Sequence, residues 1–98
     1  MSEGYSSGAW TAKEDEGEAF VKAWTEFARW LRTMPGAGTA RLIRDLDEPR
    51  RYLNFAPWES VEAMHAWKAD PEFGERIAAV REYVAEFTPS ELELVAEV

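Results

Sequence analysis

The run Arg51–Trp58 (RYLNFAPW) constrains the fold most. Read as a strand, it puts Leu53, Phe55 and Pro57 on one side and Tyr52, Asn54, Ala56 and Trp58 on the other. Both sides are mainly apolar. A strand in an antiparallel sheet with one wet face alternates apolar with polar residues, and this one does not. It therefore needs cover on both faces. The 98 residues, read as one domain spanning 1–98, hold few elements to supply it. A second copy of the chain is the simplest cover for the face that its own helices leave open. The expectation is a homodimer.

The neighbouring segments supply the rest of the sheet. Residues 5–13 (YSSGAWTAK) read as a first strand, in which Gly8 points to a bulge or a close backbone approach. Glu14, Asp15, Glu16 and Glu18 then crowd a first helical turn, where the helix dipole favours negative charge. Phe20, Trp24, Phe27, Leu31 and Met34 follow at spacings of 4, 3, 4 and 3, which is one apolar stripe, widened by Trp30. Pro35-Gly36-Ala37-Gly38 stops the helix. Residues 39–46 (TARLIRDL) form a second strand, and the polar link 47–50 turns it into a hairpin with residues 51–58.

Ser60 has the position of an N-cap for a short helix over 61–69. Asp70-Pro71-Glu72 opens another over 71–86, with a cap, a proline at the first helical position and an acid behind it. Its stripe is Phe73, Ile77, Val80, Val84 and Phe87. Thr88-Pro89-Ser90 breaks it, and residues 91–98 (ELELVAEV) read as the last strand. The order is the split β-α-β-β-α-β arrangement: an α+β, ferredoxin-like fold with a four-stranded antiparallel sheet and its helices on one face.

Charge and composition narrow the function classes. The chain has a net charge of −8, so it repels phosphate backbones and nucleic acid is not an expected partner. It has no cysteine for disulfide or thiolate chemistry, and a single histidine argues against a histidine-built metal site. No Gly-rich phosphate loop, metal-ligand cluster or nucleophile–base motif is present, so no cofactor is expected. No apolar run nears membrane-spanning length and no basic–apolar–small leader opens the sequence, so no membrane partner and a cytoplasmic address are expected. Five tryptophans in so short a chain point to an aromatic core, an interface or a pocket for a flat ligand.

Three stretches carry a resemblance. The run WTAKE followed by EAF and AW (residues 10–24), PGAGTARL (residues 35–42), and NF-x-PWES-x-EA with the later AW and PEF (residues 54–73) together resemble the antibiotic biosynthesis monooxygenase domain family over nearly the whole chain. The WES junction with AW and PEF is the most specific part. The resemblance implies a dimeric α+β barrel of ferredoxin-like units with a small-molecule pocket between each sheet and its helices. Some members oxygenate aromatic polyketides or quinols without metal or flavin. Others bind and degrade haem, and many have no known activity.

In the polyketide-oxygenating members an Asn and a Trp four residues apart line the pocket, and Asn54 and Trp58 match them. Cofactor-free oxygenation needs a substrate that ionises to an electron-rich enolate or phenolate. An amide N–H stabilises the developing oxyanion in a dry site, and a tryptophan supplies a flat wall and one donor. The bland reading is that Trp58 packs at a strand–helix corner and Asn54 bonds nearby backbone. A second Asn, often found on the first strand of such members, is replaced here by small residues.

His65 is a candidate for proton transfer, or else a solvent-edge histidine. The axial histidine of haem-type members would fall near Lys68. Tyr52, Trp10, Trp24, Phe27, Trp67 and Tyr83 are candidate pocket walls, with plain core as the alternative for each. Arg41, Arg44 and Arg76 either pair an anionic substrate group or form surface ion pairs. The leading expectation is a cofactor-independent monooxygenase acting on a small phenolic, anthrone- or quinol-like compound. A non-catalytic binding or stress-related dimer is the alternative, and a haem-degrading oxygenase comes last.

Overall fold

The computed structural model describes residues 3–98, and these form β1 (Gly4–Ala12), α1 (Gly17–Leu31), β2 (Arg41–Arg44), β3 (Arg51–Trp58), α2 (Val61–Lys68), α3 (Phe73–Arg81) and β4 (Val84–Glu93). The strands pair antiparallel in the order β2-β3-β1-β4. This is the ferredoxin-like α+β fold expected from the sequence. Gly8 lies opposite Asn54 and Trp10 opposite Tyr52, so the even-numbered residues of both central strands share one face. That face is the dry one. Ser6, Trp10 and Ala12 of β1 and Tyr52, Asn54, Ala56 and Trp58 of β3 are all buried against the helices.

The stripe of α1 delivers Phe20, Trp24, Phe27 and Leu31 to the core, with Trp30 beside them. Trp10, Trp58, Phe20, Met64 and Val80 are the largest side chains to be fully buried. Each such burial contributes about 1.5–3 kcal/mol before conformational entropy is counted. Ser60 caps α2 as its position suggests, accepting a hydrogen bond from the Ala63 amide at 3.1 Å. The Pro35–Gly38 loop clamps back on the end of β3: Gly38 N–H donates to Pro57 O at 2.8 Å and Glu59 N–H to Gly36 O at 2.9 Å.

Three boundaries differ from the sequence reading. Glu14 and Asp15 form a turn, with Asp15 at φ 63°, and α1 begins only at Gly17. The strand β2 is short, covering Arg41–Arg44 of the expected 39–46. The largest difference is at the end of the chain. Helix α3 ends at Arg81, and Val84 and Phe87 belong to β4. The register explains the misreading. Val84 pairs with Ala12, Glu86 with Thr11 and Phe87 with Trp10, which leaves Ala85 as an extra residue in a β-bulge. The bulge puts two residues three apart on one face of a strand, and so imitates helical spacing. Pro89 does not break β4, because an edge strand tolerates a missing donor. Residues 94–98 carry no strand.

The odd face of the sheet has no helix over it among the described residues. The molecule is only 18 Å thick along its shortest axis, the depth of one sheet and one helix layer. On the uncovered face Ile43, Phe55 and Leu92 are 52%, 38% and 43% exposed. Among the described residues no helix is long and apolar enough to cross a membrane.

Candidate functional site

A cavity of about 250 Å³ lies between the dry face of the sheet and the helices. Ser6, Trp10 and Asn54 rise from the sheet as its floor. Trp24, Phe27 and Leu31 of α1, Trp67 of α2, and Phe73 and Ile77 of α3 wall it. Phe87 and Pro89 of β4 close the far side. Lys68, partly exposed, and Arg81, exposed, mark its solvent end. These two are the charged residues of the lining, and both are cationic.

The floor is organised by two indoles. Trp10 Nε1 donates to Asn54 Oδ1 at 2.7 Å in a buried bond. An indole N–H is a donor only, so the amide atom that it meets must be the oxygen. The Asn54 NH₂ group is therefore the half turned away from Trp10, and it makes no hydrogen bond among the described residues. Trp10 is itself held by stacking on Phe87, with ring centroids 3.8 Å apart and planes 17° apart. Gly8 makes room for this pair. A Cβ there would lie 2.7 Å from both Asn54 Oδ1 and Trp10 Nε1. The close approach that a strand glycine suggests is thus a side-chain hydrogen bond crossing its Cα.

The second indole belongs to Trp58. Its Nε1 donates to Ser6 Oγ at 3.0 Å, and its ring stacks on Trp67 with centroids 5.1 Å apart. Trp67 in turn meets Phe73 edge-on at 4.9 Å and Phe27 at 5.7 Å. Among the described residues, Trp67 Nε1 is the one fully buried side-chain nitrogen or oxygen without a partner.

At the solvent end Glu91 of β4 accepts hydrogen bonds from Lys68 and His65 of α2. Lys68 Nζ lies 3.1 Å from one carboxylate oxygen and His65 Nε2 3.1 Å from the other. The Lys68 bond first, and the His65 bond after it, hold the Glu91 carboxyl below the usual carboxylate range. The register puts Glu91 opposite Ser6, so this clasp ties α2 to the edge strand beside the cavity floor.

Of the residues singled out from the sequence, Asn54, Trp10, Trp24, Phe27 and Trp67 line the cavity. Trp58, His65, Tyr52 and Tyr83 do not. Trp58 is 1% exposed and sits one layer behind, its donor occupied by Ser6. His65 has 56% of its side chain exposed and faces Glu91. Tyr52 lies opposite Trp10 in the register but packs against Phe20 at 4.9 Å, and Tyr83 packs at the edge of the core. Arg76 pairs with Glu72 and covers Trp30, while Arg41 and Arg44 lie exposed on β2. The sequence reading missed Ser6, Ser7, Lys68, Arg81 and Pro89 as lining residues, and it read Leu31, Phe73, Ile77 and Phe87 only as helix stripes. Nothing in a small strand serine or a surface cation distinguishes it until the sheet register and helix ends are known.

A family model described as antibiotic biosynthesis monooxygenase matches residues 7–79 of this chain. The chain belongs to the antibiotic biosynthesis monooxygenase family. No curated protein sequence matches it. Among solved structures it is similar to SnoaB from Streptomyces nogalater, described as a cofactor-independent oxygenase. That similarity has a TM-score of 0.80 and 22% identity, over 100% of this chain and 96% of the other. A candidate antibiotic biosynthesis monooxygenase from Deinococcus radiodurans aligns with TM-score 0.83 and 21% identity, over 97% of this chain and 95% of that one. One from Bordetella bronchiseptica gives 0.84 and 18%, over 98% and 100%. At these identities the likeness is one of fold.

Haem, which some members of this family take, does not suit this cavity. An axial ligand comes from His, Cys, Met or Tyr, and the lining contains none of them. The resemblance implies a haem-type position near Lys68, and Lys68 is committed to Glu91.

Proposed function

We propose that the protein is a cofactor-independent monooxygenase acting on a small, flat, phenolic substrate. The observation that supports this best is the Asn54 amide, whose oxygen is tied to Trp10 so that its N–H donors are left for a ligand in an aromatic cavity. An apolar cavity of about 150 Å³ takes benzene, so this one suits a molecule of about two fused rings. A third ring would extend toward Lys68 and Arg81.

The chemistry follows from what the cavity offers. Its lining has no carboxylate and no imidazole, so it supplies no strong base. The substrate must carry its own acidity, and Arg81 at the entrance favours its ionised form, while the charge of Lys68 is balanced by Glu91. For an anthrone-type compound, whose methylene is conjugated through the rings with a carbonyl, loss of one methylene C–H proton to solvent gives a phenolate whose charge extends back to that carbon. That carbon transfers one electron to O₂, and the radical pair combines to a C–O bond. The peroxide takes up a proton and loses water, leaving a ketone. The sum is R₂CH₂ + O₂ → R₂C=O + H₂O, in which the substrate supplies all the electrons. Asn54 N–H holds the phenolate oxygen as charge moves through the ring, and the aromatic walls exclude water.

Oxygen uptake tests this reading with a size series from a one-ring quinol to a three-ring anthrone, with a metal chelator present. Turnover of at least one member is the expected result. No turnover of any member would move the cavity to the alternative reading, a binding site in a non-catalytic protein.

The same family reading, with the exposed Ile43, Phe55 and Leu92, supports a homodimer formed through the uncovered face of the sheet. Sedimentation at micromolar concentration is expected to give a dimer, and Phe55→Glu to give monomers. A wild-type monomer would remove this assignment.

A further inference from the structure

We propose that Ser6 is a second donor to the substrate oxyanion and that Trp58 is the residue that positions it. This rests on the oxyanion reading of the cavity given above. A serine hydroxyl has one donor hydrogen and two acceptor sites, and an indole N–H only donates. In the contact between Trp58 Nε1 and Ser6 Oγ the serine is therefore the acceptor. Its own hydrogen is left over, and among the described residues no acceptor takes it. Ser6 is buried, so bulk water does not satisfy it, and it forms part of the cavity floor. The hydrogen is left for a ligand.

Ser6 and Asn54 repeat one device. In each, an indole occupies the oxygen and leaves the hydrogens over. Ser6 lies opposite Ala56 and Gly8 opposite Asn54, so Ser6 and Asn54 are diagonal neighbours on one face of the β1–β3 pair. The backbones of such neighbours stand roughly 7–8 Å apart and their side chains closer, so the proposal puts both donors at the same end of a flat ligand. Trp58 touches no ligand in this account. It acts through Ser6, and its ring backs the Trp67 wall.

The test uses 4-nitrophenol, whose phenolate is read by visible absorbance, and nitrobenzene as the matched neutral ring. Both are expected to bind in the cavity and to be read there by quenching of tryptophan fluorescence. Wild type is expected to bind nitrophenolate more tightly than nitrobenzene and to lower the pH at which bound nitrophenol ionises. Ser6→Ala should weaken nitrophenolate roughly 10-fold or more, the scale of a hydrogen bond to a charged group. It should also raise the ionisation pH of the bound phenol and leave nitrobenzene unchanged. Ser6→Thr, which keeps the hydroxyl, should restore most of the loss. Trp58→Phe keeps the stack and frees the hydroxyl to turn, so its loss should be smaller. If Ser6→Ala binds nitrophenolate like wild type while Asn54→Ala does not, Ser6 is no donor and the oxyanion reading stands. If wild type fails to prefer nitrophenolate over nitrobenzene, the oxyanion reading itself falls.

Discussion

Asn54→Ala is expected to lower turnover by roughly 100- to 1,000-fold, the usual loss when one oxyanion donor is removed. Two effects are combined in this variant and can be separated. The donors to the substrate disappear, and Trp10 Nε1 loses its acceptor in a buried position. The second effect costs about 1–3 kcal/mol of stability, or on the order of 4–8 °C in Tm per kcal/mol for a domain of this size. Asn54→Asp isolates the first. A carboxylate still accepts from Trp10, so the indole keeps its partner and any loss of stability is that of desolvating the new charge. It donates nothing and places a negative charge where the substrate oxygen would sit, so turnover should fall at least as far. Initial rates and thermal melts of both variants make the comparison. Wild-type rates in Asn54→Ala would take the amide out of the mechanism.

Gly8→Ala should be nearly as damaging, although it adds one methyl group and touches no substrate. The new Cβ would stand 2.7 Å from Asn54 Oδ1, 2.7 Å from Trp10 Nε1 and 2.9 Å from Phe87 Cε1. None of the three can swing away easily. The amide and indole are bonded to each other, and the indole is stacked on the phenyl ring. Overpacking of this kind costs about 1–3 kcal/mol. The relief that costs least is to part the amide from the indole, which releases Asn54 from its fixed orientation. The expected result is a lower melting temperature together with a fall in kcat, the latter also visible at temperatures where the variant is fully folded. A Gly8→Ala protein with wild-type melting and wild-type kcat would show that the Trp10–Asn54 bond does not set the geometry of the site.

Much of the fold was legible because local and tertiary preferences agree in this chain. The stripe from Phe20 to Leu31, the Ser60 cap and the doubly apolar strand Arg51–Trp58 each carry a pattern that packing then uses. The last third of the chain was harder. Val84 and Phe87 continue the stripe of α3 in spacing, and only the bulge opposite Thr11 and Ala12 shows that they face the core from a strand. Pro89 reads as a breaker unless the strand is known to lie at the edge. At the site, alternation correctly put Asn54 and Trp58 on one face, but it carries no depth. Trp67 stands between Trp58 and the cavity, and this depends on how α2 crosses the sheet. Ser6 was legible only as a small residue. Its interest comes from an indole 52 residues away that uses one side of its oxygen.

Isotope-labelled oxygen tests the central claim most directly. A substrate that turns over is incubated with ¹⁸O₂ in unlabelled water, with a metal chelator present, and the product is examined by mass spectrometry within the time that its carbonyl resists exchange. The account predicts one ¹⁸O atom in the product ketone, one O₂ consumed per substrate, and no dependence on the chelator. A product ketone carrying oxygen from water, release of one hydrogen peroxide per turnover, or loss of activity in chelator would contradict it.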